Sequence, residues 1–126
     1  MSTLDSIELK AFLPARDYAL SRQFYQDLGF STGWISEELT YFHHGDRCAF
    51  LLQKFYVKEF AENLMMHLMV KDVDAWWAKA QEADLAGKYG VHCGQPEDRP
   101  WGIRDFTLND PSGVLWRIGQ DIGPGA

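Results

Sequence analysis

Polar and apolar side chains alternate from Ser6 to Leu13 and stop at Pro14, the period-two signature of a strand with one covered face. The period then changes. Tyr18, Leu20, Phe24, Tyr25 and Leu28 recur at helical spacing behind Asp17, a good N-cap, and ahead of Gly29, which suits a C-terminal cap. Three short β-like runs follow between Phe30 and Gln53: FSTGWIS, LTYFHH and RCAFLLQ. Glu37-Glu38 and Gly45-Asp46 separate them, so the pattern predicts a meander of hairpins. The next stretch, KFYVKEFAEN, fits either a short helix or a surface loop. Leu64 to Val70 (LMMHLMV) is a continuous apolar strand, and Asp72 caps a second helix, expected from Val73 to about Ala86 with Trp76, Trp77, Ala80 and Ala83 on its inner side. After Gly87 the chain predicts a weak strand from Tyr89 to Cys93 and the polar loop GQPEDRPWG. Two further strands, IRDFTLN and VLWRIGQ, flank the turn Asp110-Pro111-Ser112-Gly113, and IGPGA reads as a frayed tail.

The element order is therefore β-α-β-β-β written twice. Leu13-Pro14-Ala15-Arg16-Asp17 lies over Leu68-Met69-Val70-Lys71-Asp72 at an offset of 55 residues, and in both places a strand runs into a basic residue and a helix-capping Asp. This divides a single domain, 1–126, into a first module at 6–53, a linker at 54–63 and a second module at 64–120, of the α+β class.

Composition narrows the function. The 126 residues are 46% apolar and carry 18 acidic against 12 basic side chains, a formal charge of -6. A chain of this length buries roughly two thirds of its unfolded surface, so it needs no disulfide or structural metal to fold. The scattered basic residues argue against nucleic acid and against an anionic membrane as partners. Asp5 and Glu8 interrupt the region where a signal peptide needs an apolar core, and Cys48 and Cys93 form no Cys-x-x-Cys pair, so a cytoplasmic protein with free thiols is expected. Aromatic residues make up 14%, with five Trp, enough to line a pocket as well as a core.

FLPARDYALSRQFYQDLGF, the NDPSG turn and RPWG ahead of the penultimate strand resemble the vicinal-oxygen-chelate superfamily of glyoxalases and dioxygenases, and within it the bleomycin-resistance proteins. The resemblance covers nearly the whole chain. It implies two βαβββ modules forming a curled mixed sheet around a cleft, commonly completed by a second subunit in a homodimer, with a small-molecule ligand as partner. It does not by itself fix the ligand.

Many relatives hold a divalent metal in that cleft. Mapping their ligand positions through the shared motifs points to Lys10, Met65, Arg117 and a position near Phe50. An ammonium, a thioether, a guanidinium and a phenyl ring do not hold a hard or borderline cation, so neither a metal nor another cofactor is expected and no catalytic residue is assigned. This departure agrees with the bleomycin-resistance branch, which sequesters its ligand. The alternative is a glyoxalase-like lyase, isomerase or dioxygenase with a nonstandard metal site or a metal-free one, using His67 for proton transfer and Arg117 as an anion clamp. A scaffold that uses only its dimer surface is a third reading.

Strand alternation assigns the walls of the cleft. Glu8, Lys10, Phe12 and Pro14 share one face, as do Met65, His67 and Met69; Asp105, Thr107, Leu115 and Arg117 turn inward, whereas Phe106, Leu108 and Trp116 turn to the helices. His43, His44 and His92 read as surface or packed residues. The resemblance implies that Trp101 stacks on a flat heteroaromatic ligand, with Ile103 as an inserted residue that alters its aim. It also places a second aromatic where this chain has Leu39, a role that Trp34 or Tyr41 could fill. Trp76 and Trp77 read as core and interface packing. With Glu37, Glu38, Glu97 and Asp98 either steering a guest or merely solubilising the surface, an aromatic, cationic ligand is the expectation.

Overall fold

The computed structural model describes residues 3–124; of the expected tail, Gly125 and Ala126 lie outside the described residues. Its elements are β1 (Phe12–Pro14), α1 (Tyr18–Leu28), β2 (Ser31–Ile35), β3 (Leu39–His44), β4 (Cys48–Gln53), α2 (Lys58–Glu62), β5 (Met65–Met69), α3 (Val73–Glu82), α4 (Leu85–Tyr89), β6 (Glu97–Asp98), β7 (Ile103–Asn109) and β8 (Leu115–Asp121). The strands form two four-stranded mixed sheets, ordered β1-β4-β3-β2 and β5-β8-β7-β6. In each, the first strand pairs in parallel with the last, Phe12 with Leu51 in one and Met65 with Leu115 in the other, and the remaining pairs are antiparallel. The two halves thus share one topology. The likeness extends to atoms: the Asp17 carboxylate accepts from the Leu20 amide and that of Asp72 from the Ala75 amide, each at 3.1 Å and 55 residues apart.

The spacing of α1 puts Ser21, Phe24, Tyr25 and Leu28 on its buried side, and Gly29, at φ 121°, ends it in a conformation costly for other residues. Tyr25 meets Phe50 of β4 at 4.8 Å between ring centroids and Trp116 of β8 at 5.7 Å, so a helix of the first half packs against strands of both sheets. One core results, shared by the halves and including Phe42, Leu52, Phe106 and Ile118.

Four local expectations are corrected. The first strand begins at Phe12 rather than Ser6. Ile7 and Leu9 are each 96% exposed, so the alternating residues ahead of Phe12 have the period of a strand but no surface in this chain to cover them. The second helix breaks at Asp84, whose left-handed backbone (φ 50°) and side-chain bond to the Gly87 amide start α4 as a separate turn. Tyr89 consequently closes a helix, and the strand expected to Cys93 shrinks to a single bridge between Cys93 and Leu108; the outer strand is instead Glu97–Asp98. The ambiguous segment after Gln53 forms α2. The start of the expected tail is tied down, with the Ile122 amide bonded to the Gly102 carbonyl at 3.0 Å.

Candidate ligand-binding site

Each sheet covers the core with one face and leaves the other open. In the second sheet, register sets the open face in rows. Met65, Leu115 and Asn109 form one; His67, Arg117 and Thr107 the next; Met69, Gly119 and Asp105 a third, with Glu97 beyond Asp105. Phe106, Leu108, Trp116 and Ile118, on the alternate positions, are buried under the helices. Met65 and Met69 are about half exposed, so this face is presented to solvent.

Asp105 is the electrostatic centre of that face. It is only 2% exposed, and it receives Arg99 Nε at 2.9 Å on one oxygen and Arg117 Nη1 at 3.2 Å on the other. Two guanidinium groups satisfy a carboxylate whose burial alone would be costly. Arg99 also approaches Glu97 at 3.5 Å, on a side chain left 68% exposed. Beside Arg117, the Thr107 hydroxyl bonds to His92 Nε2 at 3.0 Å. Gly119 lies between these groups. A Cβ there would stand 3.3 Å from His67 Nε2, 3.1 Å from Ile103 Cγ2 and 3.4 Å from Asp105 Cβ, so only a bare glycine lets these side chains close in beside Arg117.

The open face of the first sheet is aromatic. A register shift between Thr32 and Ile35 brings Trp34 beside Tyr41, with centroids 6.1 Å apart and planes inclined by 15°. His43 continues the row at 5.8 Å from Tyr41. Gly33 permits this arrangement, because a Cβ at that position would lie 2.5 Å from Tyr41 Cδ2. Tyr41 donates to Glu8 at 2.8 Å, Glu8 also pairs with Lys10, and Lys10 Nζ lies 5.6 Å from the Tyr41 ring centre. These bonds hold the Glu8 carboxyl below its ordinary range, Lys10 contributing most and Tyr41 next.

The predicted residues therefore divide between two surfaces. Lys10, Phe12, Leu39, Trp34 and Tyr41 belong to the first sheet or its leading segment, and Met65, His67, Asp105 and Arg117 to the second. Trp101 stands in the loop between β6 and β7, 63% exposed. Phe50 lies on neither open face: at 1% exposure it packs on Tyr25, Phe30 and Trp116, and its remaining edge lines a hollow beside His67 and Met66. Where β1 is too short to cover β4, this hollow of about 190 Å³ separates Cys48 and Ala49 from Met66 and His67. His44 and Trp76 pack together at 4.8 Å, and Trp77 Nε1 donates to the Gly94 carbonyl at 2.9 Å, which makes both tryptophans packing residues. Sequence reasoning missed Arg99 and Gly119. The signal for Arg99 was the spacing of the loop itself: Glu97 and Asp105 are paired across a hairpin, which returns Arg99 over Asp105.

Residues 3–118 match the family model for the Glyoxalase/Bleomycin resistance protein/Dioxygenase superfamily. The chain belongs to that superfamily. Its fold is similar to that of a bleomycin-binding protein solved in complex with bleomycin, with 21% identity, a TM-score of 0.74 and coverage of 91% of this chain and 98% of that one. A bleomycin-binding protein from the bleomycin-producing Streptomyces verticillus, in complex with copper(II)-bleomycin, gives 22%, 0.74, 96% and 99%. A lactoylglutathione lyase from Agrobacterium tumefaciens gives 17%, 0.69, 94% and 96%. At such identities the likeness is one of fold. No curated protein matches the chain in sequence.

In this superfamily member the residues at the mapped metal-ligand positions do not fit a divalent ion. Lys10 is engaged by Glu8, Arg117 by Asp105, and Met65 offers only a thioether. The β4 neighbours of Phe50 that share the face of Tyr41 and His43 are Leu51 and Ala49, which carry no donor. Among the described residues, no group of three or more His, Cys, Asp or Glu is placed to hold a metal.

Proposed function

We propose that this protein is a non-catalytic homodimer that sequesters an aromatic small molecule between open sheet faces, without a metal ion. The observation that carries the reading is the Trp34–Tyr41 pair: two near-parallel rings on an open face, with Trp34 51% exposed and a Glu8–Lys10 clamp beside them. Half-exposed stacked rings offer a ready platform for a third, worth on the order of 1 kcal/mol beyond the area buried. Trp101 and Phe12 add exposed aromatic surface, and the unsuitable donor set supports binding over metal-assisted chemistry.

The dimer is supported by apolar surface that one chain leaves bare. Ile7 and Leu9 ahead of β1, with Phe12, Met65 and Met69 on the open faces, are all about half exposed or more, a burden that a second copy relieves by covering them. A cytoplasmic site of action suits the free Cys48 and Cys93, and no helix among the described residues is long and apolar enough to cross a membrane.

Tryptophan fluorescence tests the reading. Titration with bleomycin and a panel of aromatic metabolites is expected to find a ligand that quenches the emission and raises the melting temperature, with both effects lost in Trp34→Ala. A stoichiometric divalent ion in the purified protein, required for that binding, overturns it. The adjacency of His67 and Arg117 in register favours a second reading, metal-free proton transfer on a substrate held by Arg117. Conversion of a bound compound, abolished by His67→Gln, decides for that one.

A further inference from the structure

The overall charge of -6 points to a cationic guest, yet the local arrangement on the second sheet points the other way. Three carboxylates on or beside the two open faces have cationic partners, while Asp121, at the far end of the same face of β8, accepts only the Gly123 amide among the described residues. Glu8 is held by Lys10 and Tyr41, Asp105 by Arg99 and Arg117, and Glu97 lies at Arg99. On the second sheet, Arg117 shares its carboxylate partner with another guanidinium. Its contact with Asp105 is made through Nη1 alone, and Asp105 is shared with the closer Arg99. Glu97 sits against Arg99, is largely solvated and is therefore screened. A guanidinium carries five N–H donors in a planar fork, so most of those of Arg117 remain for a ligand.

The surroundings of Arg117 are shaped for an acceptor. His67 is its register partner on β5 and Thr107 its partner on β7, with His92 behind the Thr107 hydroxyl, so the row presents polar hydrogen-bonding groups on both sides of the guanidinium. Two residues along β8, the bare Gly119 lets His67, Asp105 and Ile103 close in beside the guanidinium. A buried carboxylate fixes Arg117 from one side, which removes part of the ordering cost when a ligand binds from the other.

We propose that Arg117, positioned by Asp105 and flanked by His67 and Thr107, is the seat for a planar oxyanion, a carboxylate on the aromatic guest. This rests on the aromatic-ligand reading for the guest, whereas the seat itself depends only on the second sheet. The guest is then an aromatic acid whose carboxylate is taken by the guanidinium.

Three probes of one shape separate the ideas: 1-naphthoate, neutral 1-naphthamide and cationic 1-naphthylmethylammonium, titrated by tryptophan fluorescence. The naphthoate is expected to bind at least about tenfold more tightly than the other two, a gain within the range of a charge-assisted pair. Arg117→Met should erase that preference, bringing naphthoate down to the level of naphthamide, and Gly119→Ala, which crowds His67 and Asp105, should reduce it. Inorganic phosphate followed by NMR tests the seat without any ring, with saturable shifts expected at the Thr107, Arg117 and Gly119 amides and none in Arg117→Met. Amide and ammonium probes that bind as well as naphthoate overturn the seat and spare the aromatic reading. Failure of all three naphthalenes with retained phosphate shifts overturns the aromatic reading and spares the seat. Absence of phosphate shifts in the wild type overturns the seat.

Discussion

The phenol of Tyr25 in α1 donates to the carboxylate of Asp110, 85 residues later, at 2.5 Å, and its oxygen accepts from Trp116 Nε1 at 3.0 Å. Asp110 in turn takes the amides of Ser112 and Val114, each at 2.9 Å, while the Arg16 amide donates to Ser112 Oγ at 3.0 Å. The Asn109-Asp110-Pro111-Ser112-Gly113 turn is thereby locked to the start and middle of the first helix, binding the two halves through polar groups inside an apolar core. Burial pushes the Asp110 carboxyl up, with Tyr25 and the turn amides opposing it, and burial followed by the Asp110 charge pushes the Tyr25 phenol well above its ordinary value.

Tyr25→Phe keeps the ring contacts but strips one donor from Asp110 and the acceptor from Trp116. The variant is expected to lose about 2 kcal/mol of stability, and Asp110→Ala about 3 kcal/mol because the turn amides are orphaned as well. Urea unfolding at neutral pH measures both. Equal stability of Tyr25→Phe and wild type would mean that the network contributes nothing net.

The Arg99–Asp105–Arg117 cluster makes an ordering prediction. Removing the shared carboxylate with Asp105→Ala leaves two guanidinium groups crowded and unpaired, while removing either arginine leaves Asp105 one partner. Expected losses are about 2 kcal/mol for Asp105→Ala, about 1 for Arg99→Met and less for Arg117→Met, all reduced by the partial exposure of the arginines. Thermal melts of the three variants check the order. A melting temperature for Arg117→Met below that of Asp105→Ala would contradict it.

Much of this was legible in the chain. Helical spacing between Asp17 and Gly29, and alternation in IRDFTLN and VLWRIGQ, placed Asp105 and Arg117 on one face because period two leaves no other choice once Phe106 and Trp116 face the helices. What the pattern missed lies where local rules are silent. Nothing in Ser6 to Leu13 distinguishes a strand covered by its own chain from one that projects, and the left-handed Asp84 that splits the second helix has a local cause, its own carboxylate bonding Gly87, which competes with helix propensity. At Phe50 the pattern gives no sign that the ring turns to the core while Ala49 and Leu51 take the other face, because a continuous apolar run hides its period.

Asp27 offers a pH test. It accepts from Lys88 Nζ at 2.8 Å and from the Tyr89 hydroxyl, tying α1 to α4. Burial raises its carboxyl, but the bonds from Lys88 and Tyr89 outweigh it and hold the group below its ordinary range. A depressed folded value means stability that is present above the unfolded value of about 3.9 and lost as the pH falls through the folded one. Asp27→Asn is therefore expected to be less stable than wild type at pH 7, with the gap closing at acid pH below that unfolded value. Urea midpoints across pH give the answer, and a gap independent of pH would assign the effect to shape rather than charge.

Gly33 yields a prediction on the aromatic surface. A methyl group there collides with the Tyr41 ring at 2.5 Å, and either the ring or β2 must move. Gly33→Ala is expected to cost about 1 to 2 kcal/mol and to disturb the near-ultraviolet circular dichroism of the Trp34–Tyr41 stack. Binding of an aromatic ligand should weaken in step with the loss of that signal. A variant with unchanged spectrum and weakened binding would place the ligand on Gly33 itself.

The segment ahead of β1 bears on assembly. Its backbone follows β4 no further than the bond from the Leu51 amide to the Ala11 carbonyl, and Ile7 and Leu9 beyond that point are almost fully exposed. Two bare aliphatic side chains spaced by one residue on an extended segment match the face of a strand, so the cover they need is another sheet edge or face, which a second copy supplies symmetrically. The 14.4 kDa chain is expected to sediment at twice that mass, and the double variant Ile7→Glu, Leu9→Glu as a monomer. Because those side chains lie outside the core, the variant should keep its unfolding cooperativity while losing ligand-induced quenching. A monomeric wild type that binds its ligand fully would show that one chain's open faces suffice.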